Sequence, residues 1–514
     1  MSPRAWKKLR QIVQILALLL FFAVFIYTNA QRPQRFWTDI FTRLDPLLMV
    51  SASLAGRALQ AGLILAAIVV LLTLLFGRVW CGWFCPLGTL LEWTSPRRSR
   101  QKAPGERLRL LKYLLLFAIL MAAVLGNQTL IVLDPITILN RTLATAVWPA
   151  LRYAVVTIEE LLYQAPVLWG PLDAVHGAVI QPIFQEVQPV FSLAVLSALL
   201  FIALVALNWL AERFWCRYLC PLGGLLGLLS KLSMVRRTVS ESCSHCARCM
   251  HGCPTGTIDP ADGYRSDPAE CIVCYDCLID CTGDDIGFRW QLRPWRPARW
   301  RDYDPTRRQL LGVLGASVAG VALAGVEPVR ARQAATMLRP PGADAADFGA
   351  LCVRCGACVR ICPTQGLQPS LFEGGVQNVL TPRLVPRLGY CGFACNACGQ
   401  VCPTGAIPPL GLEGKRRAVI GLASINQHRC LPWAYNIPCI VCEEACPLAE
   451  KAIRLEEVQV VDATGEQVLL QRPRVNQELC IGCGICEFQC PVGGEAAIRV
   501  YTPTDVLARG ATSG

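Results

Sequence analysis

The sequence predicts a membrane α-helical bundle of four spans, arranged as two tandem hairpin repeats, with one further span and two small α+β modules. Mean hydropathy is +0.40 and 53% of the 514 residues are hydrophobic, which is high for a soluble chain. All 28 cysteines fall in compact groups. Charge-free stretches long enough to cross a bilayer lie at Gln11–Gln31, Ala58–Gly77, Tyr113–Leu133 and Val187–Ala211, and a shorter one at Gln309–Val326.

The first cysteine module consists of two runs with the spacing C-x2-C-x2-C-x3-C. Three closely spaced thiolates can bind three corners of a [4Fe–4S] cluster, and in two-cluster ferredoxins the last cysteine of each run serves the other cluster. Zinc sites use separated C-x2-C pairs, and disulfide scaffolds of this density are short secreted chains, so clusters are favoured over both. The predicted ligand sets are Cys243, Cys246, Cys249 and Cys281, and Cys271, Cys274, Cys277 and Cys253.

The four predicted spans contain an internal repeat. Leu-Asp-Pro follows the first and third spans at Asp45 and Asp134, and Trp-Cys-x3-Cys-Pro-Leu-Gly ends the second and fourth. Two cysteines four residues apart share one face of a helix that continues through them. Two such pairs at the same depth would form another four-thiolate site; the alternative is two pairs of structural or disulfide-forming thiols. The cysteines concerned are Cys81, Cys85, Cys216 and Cys220.

The basic residues predict an orientation. The net charge is +12, but Lys and Arg flank the apolar stretches, which favours membrane topology over nucleic-acid binding. They concentrate before the first span, between Arg78 and Lys112, and between Arg213 and Arg237. The positive-inside rule therefore predicts a multi-pass protein of the cytoplasmic membrane, with its N-terminus and residues 241–290 in the cytoplasm.

A basic linker and the fifth span separate the two cysteine modules. Arg307 and Arg308 precede a mildly apolar stretch, a pattern typical of a twin-arginine export signal; the alternative is two basic anchors before an ordinary span. Ala322-Leu323-Ala324 could pass as a cleavage site, but cleavage would sever the chain, so we expect an uncleaved anchor. On either interpretation, residues after about 330 are predicted to be extracytoplasmic.

The second cysteine module carries four quartets, each ending in Cys-Pro as bacterial ferredoxin runs do. The first and fourth have ferredoxin spacing, the second widens its first gap to three residues, and the third widens it to eight. The quartets are Cys352, Cys355, Cys358 and Cys362; Cys391, Cys395, Cys398 and Cys402; Cys430, Cys439, Cys442 and Cys446; and Cys480, Cys483, Cys486 and Cys490. Nested and sequential exchanges of the fourth ligand both fit this spacing.

The spacing predicts six [4Fe–4S] clusters in the chain, and one more if the C-x3-C pairs bind a cluster. Short β-like pieces at 459–461 and 468–470 suit α+β ferredoxin modules. The predicted domains are 1–240 (four spans), 241–290 (two clusters), 291–330 (linker and fifth span) and 331–505 (four clusters).

Motifs of other functions are absent from the sequence. There is no C-x-x-C-H haem attachment motif and no G-x-G-x-x-G or phosphate-binding loop. His176, His245, His251 and His428 are expected to be solvated or to lie beside ligand residues. No residue set for substrate chemistry stands out, which favours electron transfer over conversion of a substrate.

The half of the chain up to about Trp290 resembles the NapH family of membrane ferredoxin-type proteins of periplasmic nitrate reductase systems, in its spans, its two C-x3-C-P motifs and its paired ferredoxin runs. The half from Thr306 is similar to the NapG family of exported four-cluster proteins. The methylamine-utilisation ferredoxins and the polyferredoxin tail of NosR are similar at the same positions. The chain departs from the NapH and NapG pattern by joining both parts in one polypeptide. The resemblance implies quinol oxidation at the membrane and electron delivery to a periplasmic oxidoreductase or cytochrome.

Two hypotheses about function follow. In the first, the protein is the electron-transfer component of a quinol dehydrogenase and relays electrons between the quinol pool and an extracytoplasmic redox enzyme. Asp45, Asp134 and His176 are its candidates for a quinol site, although Asp-Pro is more often a helix start or turn. In the second, it is a redox assembly or maturation factor for a partner metalloenzyme. A redox sensor would need a signalling domain, which the sequence lacks.

Overall fold

The chain folds into two compact units, which are described separately. Unit 1 comprises Met1–Ile26, Phe36–Thr142 and Leu196–Val326, and unit 2 comprises Tyr27–Arg35, Leu143–Val195 and Glu327–Gly514. The computed structural model describes residues 2–28, 39–96, 104–184, 190–283, 285–291, 312, 314, 315, 319, 337–344, 347–461 and 467–503.

The predicted four-span membrane bundle is wrong. Within the described ranges, one helix, Pro3–Tyr27, is long and apolar enough to cross a membrane. The stretches predicted as spans two to four contain helices of 11, 15 and 13 residues, well short of the roughly 20 that a bilayer requires. An N-terminal signal sequence passes the same test as an anchor. Because the four-span bundle is wrong, the predicted multi-pass topology is not supported. The sides of the membrane that were assigned from that topology are not supported either.

Turns that a hydropathy average does not register divide the apolar stretches. Leu110–Val124 ends just before Gly126, whose φ of +78° does not continue a helix. Asn127 then accepts a hydrogen bond from the Thr129 N–H at 2.7 Å, and a 3₁₀ turn follows. Likewise, Ala66–Phe76 is preceded by a 3₁₀ turn and ends at Gly77, whose φ is +79°.

Unit 1 is mainly helical, and Pro46–Gly56, Leu110–Val124 and Pro221–Ser230 pack against one another in it. Its described α-helices are Pro3–Tyr27, Ile40–Arg43, Pro46–Gly56, Ala66–Phe76, Pro86–Thr94, Leu110–Val124, Pro135–Thr142, Ala194–Ala206 (whose first two residues belong to unit 2), Pro221–Ser230, Arg248–His251 and Asp276–Asp280. Unit 1 also has two antiparallel strand pairs: Val235–Val239 with Ile286–Trp290, and Ile258–Asp259 with Arg265–Ser266.

Unit 2 combines short helices with three antiparallel strand pairs. Its described α-helices are Trp148–Leu162, Trp169–Val175, Gln181–Ile183, Phe348–Leu351, Ala357–Ile361, Ala397–Gln400, Leu412–Arg417, Leu431–Ala434, Val441–Glu444 and Ile485–Gln489. The strand pairs are Leu367–Pro369 with Pro382–Leu384, Leu422–Ile425 with Ile498–Tyr501, and Ile453–Val461 with Gln467–Val475. The last pair contains both β-like pieces noted in the sequence.

The apolar core of unit 2 is built partly from cysteines. Cys352, Cys358, Cys442, Cys480 and Cys486 are buried in the same cluster as the aliphatic side chains around them. Small units of this kind gain stability from bound metal, because the apolar core alone is limited.

The predicted crossing segment lies almost entirely outside the described residues. This applies to the span Gln309–Val326, of which only positions 312, 314, 315 and 319 are described, and to Arg307, Arg308 and the basic linker before them.

Candidate metal centres

The cysteines of the two ferredoxin runs in unit 1 converge in two sets of four. Burial and the nearby thiolates of Cys243, Cys281 and Cys246 raise the pKa of Cys249, which places these four sulfurs together. Burial, with a contribution from the Cys253 thiolate, likewise raises the pKa values of Cys271, Cys274 and Cys277. Each run thus contributes three cysteines to one set and its last cysteine to the other.

In unit 2 the fourth cysteines are exchanged sequentially, between the first and second quartets and between the third and fourth. Burial and neighbouring thiolates raise the pKa of Cys358, Cys398, Cys442 and Cys486, and the thiolates involved identify the groups. The sets are Cys352, Cys355, Cys358 and Cys402; Cys391, Cys395, Cys398 and Cys362; Cys430, Cys439, Cys442 and Cys490; and Cys480, Cys483, Cys486 and Cys446. The sequence had left this exchange open.

The four runs with ferredoxin spacing adopt the same local backbone. In each, the second residue after the first cysteine and the residue after the second cysteine have positive φ. These pairs are His245 and Ala247, Val273 and Tyr275, Arg354 and Gly356, and Gly482 and Gly484. Alternating right- and left-handed residues turn successive N–H groups into a concavity that binds anions, including iron–sulfur clusters. The widened run from Cys391 to Cys402 has no such pair among its described residues.

Three of the unit 2 sets line cavities of their own. The cavity around Cys362, Cys391, Cys395 and Cys398 has a volume of about 420 Å³. Those around the Cys439 and Cys480 sets have about 360 Å³ each. The remaining lining is mostly apolar, including Leu367, Leu384 and Ile420 in the cavity around Cys391. Soft thiolates in an apolar wall suit an iron–sulfur cluster.

No group of three or more His, Cys, Asp or Glu side chains in the described ranges is arranged to hold a single metal ion. A [4Fe–4S] cluster binds each thiolate through a different iron atom, so its ligands stand further apart than those of one ion. All the cysteines are free thiols rather than disulfides.

The two C-x3-C-P motifs of unit 1 also converge. Burial and the thiolates of Cys81 and Cys216 raise the pKa of Cys85, and burial and the thiolates of Cys216, Cys81 and Cys85 raise that of Cys220. The four sulfurs, two from each copy of the repeat, thus form one site. With this site, every cysteine of the chain belongs to a set of four.

The helix does not continue through these motifs, as a shared helical face would require. Each motif forms a π-helical turn, Trp80–Phe84 in one copy and Trp215–Leu219 in the other. Cys85 and Cys220 are extended because the following proline disfavours the helical backbone, and each becomes the N-cap of the next helix. Their sulfurs accept hydrogen bonds from the backbone N–H groups of Gly88 at 3.4 Å and Gly223 at 3.2 Å.

Two buried arginines flank this four-cysteine site. Arg78 Nη1 donates to the Ala269 carbonyl at 2.8 Å, and its Nη2 lies 3.9 Å from Cys81 Sγ. Arg213 Nη1 donates to the Cys81 carbonyl at 3.1 Å. The two residues occupy the same place in the two copies, three positions before the first cysteine. Sequence reasoning missed them, although the repeat itself carried the signal.

The arginines are balanced by two carboxylates from distant parts of the chain. Glu270 lies 3.5 Å from Arg78 and bonds Lys112, and both Glu270 and Lys112 are buried. Glu92 binds Arg213 and also accepts from Arg10 at 2.8 Å. These cations belong to the basic stretches that the sequence predicts as flanks of membrane spans. In the structure their side chains are buried inside unit 1.

The quinol-site candidates separate into two kinds. Asp45 and Asp134 are fully buried and interact, each capping the helix that follows it. Burial, then the Asp134 charge, raises the pKa of Asp45 well above its ordinary value. His176 is half-exposed in unit 2 and pairs with Glu159 at 2.9 Å. The structure thus brings together the two aspartates of the repeat, a pairing the sequence did not predict.

Models of known protein families match the regions of the chain that contain cysteine sites. The family of 4Fe-4S binding domains matches residues 58–104 and 193–239, which contain the two C-x3-C-P motifs. The family of 4Fe-4S dicluster domains matches residues 351–430 and 437–494. The fold and the cysteine sites thus define a ferredoxin-type, [4Fe–4S]-binding electron-transfer protein.

Curated relatives refine this class. The methylamine utilization ferredoxin-type protein MauM of Methylorubrum extorquens is 42% identical over 204 residues, which are 38% of this chain and 89% of MauM. The ferredoxin-type protein NapG of Escherichia coli is 36% identical over 188 residues, 36% of this chain and 79% of NapG. The chain belongs to the family of ferredoxin-type proteins that includes MauM and NapG. An uncharacterized protein of Methanocaldococcus jannaschii is 24% identical over 290 residues, 55% of this chain and 97% of its own length. No solved structure matches the chain significantly.

Proposed function

We propose that this protein relays electrons between the quinol pool and an extracytoplasmic redox enzyme through [4Fe–4S] clusters, one in each of the seven cysteine sets. A bound cluster takes up and releases an electron at a potential set by its charge, hydrogen bonds and exposure. The observation that carries the proposal is that neighbouring sets are linked in series within each unit.

In unit 1 the three sets are consecutive. The two ferredoxin sets are interlocked by the exchange of Cys253 and Cys281. The loop that carries Cys271 and Cys274 packs on the first C-x3-C-P motif, where Trp83 Nε1 donates to the Val273 carbonyl at 2.9 Å. The Arg213 guanidinium interacts with both Cys216 and Cys274 and so bridges the two sites. An electron can therefore pass along three neighbouring centres.

Unit 2 has a comparable series of four. The first two sets exchange Cys362 and Cys402, and the last two exchange Cys446 and Cys490. The set of Cys391 is joined to the set of Cys480 by a hydrogen bond from the Cys391 N–H to the Cys483 carbonyl at 2.8 Å. Lys415 interacts with both of these cysteines.

The quinol pool and an extracytoplasmic acceptor are the partners that the NapH and NapG resemblance implies. The helix Pro3–Tyr27 supports membrane attachment, because only 28% of its most apolar window is buried, whereas a core helix would be mostly covered. Leu16, Leu19 and Leu20 on this helix are more than half exposed. The proposal also requires unit 2 to lie on the extracytoplasmic side, where its acceptor is.

The proposal is tested on the full chain purified without oxygen. Seven clusters correspond to roughly 28 iron atoms and as many acid-labile sulfides per chain, with paramagnetic signals on reduction. In membranes that contain the protein, a quinol analogue should reduce these centres. Protease added to intact spheroplasts should cut unit 2. Bound zinc in place of reducible centres contradicts the proposal, as does a protected unit 2. If deletion of the gene leaves the acceptor enzyme short of metal, rather than metallated but unreduced by quinol, the protein is a maturation factor.

A further inference from the structure

The two copies of the repeat share a longer motif than their cysteines. Arg78-Val79-Trp80-Cys81 and Arg213-Phe214-Trp215-Cys216 both read Arg-x-Trp-Cys. The four arginine and tryptophan side chains are at most 7% exposed. Burial of a guanidinium or an indole N–H is unfavourable unless the group is hydrogen-bonded.

In both copies the same donor atoms lack an acceptor among the described residues. The Nε atoms of Arg78 and Arg213 and the indole Nε1 atoms of Trp80 and Trp215 are buried without a hydrogen-bond partner. Trp83, three residues beyond Trp80, donates to the Val273 carbonyl, so an indole in this region can reach a protein acceptor. A buried donor without a partner costs about 1–3 kcal/mol. Arginine Nε atoms without a partner occur elsewhere among the described residues, but the indoles of Trp80 and Trp215 stand at the same place in the two copies, which indicates one shared cause.

The arginines reach the cysteines of both copies. Arg78 interacts with Cys81 of its own copy and with Cys220 of the other. Arg213 interacts with Cys216 of its own copy and with Cys85 of the other. A Cβ on Gly223 would lie 2.7 Å from Arg78 Nη2, so glycine at this position leaves room for the guanidinium. The two cations thus bracket the four-cysteine site.

We infer that Arg78, Trp80, Arg213 and Trp215 form a shell of N–H donors to the sulfur atoms of the cluster held by Cys81, Cys85, Cys216 and Cys220, and that this shell raises the reduction potential of that centre. The inference rests on the proposed cluster at this site. Reduction adds negative charge, which hydrogen bonds to sulfur and nearby positive charge stabilise, so both favour the reduced state.

An ion-pair role alone does not explain these residues. Glu270 and Glu92 bind the arginines through Nη atoms and leave both Nε–H groups without a carboxylate acceptor. The tryptophans carry no charge, and phenylalanine would provide a comparable apolar ring. A residue that only packs should tolerate removal of its N–H, whereas a donor to the cluster should not.

The test combines Trp80→Phe with Trp215→Phe, which removes both indole N–H groups and retains aromatic rings. Potentiometric titration monitored by electron paramagnetic resonance is performed on the full chain, and a Cys81→Ser/Cys216→Ser variant identifies the signal of this centre. We expect the iron content to be kept and this one potential to fall, by a factor of about ten in the reduction equilibrium constant, or about 59 mV for one electron. Trp209→Phe, at an indole that is 71% exposed, is the matched control and should shift nothing.

An unchanged potential at full iron content overturns the donor shell while leaving the relay intact. If the double variant loses iron, the two single variants and Arg213→Lys are titrated instead, and each should show part of the downward shift. If the cysteine variant loses no iron, no cluster is bound at this site and the cluster assignment itself fails. This result differs from an unchanged potential in the tryptophan variant, which contradicts only the donor shell.

Discussion

The two units hold their buried cations in different ways. In unit 1, Lys112 and Arg213 are completely buried and bind the carboxylates of Glu270 and Glu92. In unit 2, Arg354 and Lys415 are buried and donate to backbone carbonyls, those of Cys352 and Gly392 among them. The ion pairs described in unit 2, such as Arg454–Glu450, are at the surface.

This difference shows that similar metal sites can be surrounded by different electrostatics. A carboxylate cancels the charge of a buried cation, whereas a carbonyl supplies only a dipole and leaves the positive charge to act on neighbouring thiolates. Around Lys112 and Arg213 the interior of unit 1 therefore has paired charges, and neither partner of such a pair can be lost alone without cost. Arg109 and Arg237 of the same unit donate to backbone carbonyls, as the buried cations of unit 2 do. Unit 2 depends more on local backbone contacts.

The largest expected effect concerns shared ligands. Cys402→Ser in unit 2 removes a ligand from one set while its run also supplies the neighbouring set, so we expect losses approaching two clusters, about eight iron atoms. Cys85→Ser in unit 1 acts on a set that exchanges no cysteine with another, so about four iron atoms should be lost. Iron and acid-labile sulfide analysis measures both. Equal iron losses in the two variants would contradict the expected difference between shared and unshared ligands. Ser242→Ala, beside Cys243, is the control and should lose no iron.

The next effect compares two buried lysines. Lys112→Met leaves the Glu270 carboxylate buried with one cation fewer, although Arg78 remains 3.5 Å away, so we expect about 3 kcal/mol of destabilisation. Lys415→Met leaves the Gly392 carbonyl unsatisfied and removes a cation beside Cys391 and Cys483, but leaves no carboxylate buried, and should cost about 1–3 kcal/mol. Denaturant unfolding of the full chain, followed in each unit by hydrogen exchange, measures the two values. The exposed Arg454→Ala should cost about 0–1 kcal/mol. A larger loss for Lys415 than for Lys112 would reverse the comparison.

A pH-dependent effect is expected in unit 1 at the paired aspartates. Burial raises the pKa of Asp134 from 3.8 to about 6. The folded state therefore holds a proton on Asp134 that the unfolded chain releases between about pH 4 and 6, so the contribution of Asp134 to stability falls as pH rises through this window. The change amounts to at most about 3 kcal/mol. The raised pKa of Asp45 extends the fall to higher pH.

Asp134→Asn should remove the Asp134 part of this fall and leave the part that Asp45 contributes, because the amide can still accept the cap hydrogen bond and does not ionise. Hydrogen exchange of the helices Pro46–Gly56 and Pro135–Thr142 across pH 4–8 reports it. The exposed Asp347→Asn in unit 2 should leave the profile unchanged, and a wild-type profile that rises with pH would contradict the assignment.

The smallest effect tests the contact between neighbouring sites in unit 1. A Cβ on Gly82 would lie 2.1 Å from the Ile272 carbonyl oxygen, so Gly82→Ala must displace the loop that carries Cys271 and Cys274. Overpacking of this kind costs about 1–3 kcal/mol. Gly177→Ala, where no atom lies within 4 Å of the added group, should be nearly neutral. The same unfolding measurement compares them, and a neutral Gly82→Ala would mean that the loop is not held there.

The local grouping of the cysteines could be predicted from the sequence. Three cysteines within seven residues must lie close together whatever the rest of the chain does, and the ferredoxin spacing brings with it the same pair of left-handed residues in each run. Hydropathy was a poorer guide. It averaged over Gly126 and Asn127, and so it joined a 15-residue helix and a 3₁₀ turn into one predicted span.

The sequence by itself determined which cysteines are candidate ligands, because candidacy follows from residue type and short spacing, and the class of cofactor it predicted agrees with the 4Fe-4S families that match the chain. Only the tertiary structure decided which cysteine completes each unit 2 set, that the two C-x3-C-P motifs form one site, and that Arg78, Lys112 and Arg213 are internal. Those outcomes depend on contacts between residues far apart in the chain, such as Lys112 and Glu270, which are 158 positions apart. No local pattern encodes the partner of a buried charge, since the free energy of that pairing exists only once both groups have left water.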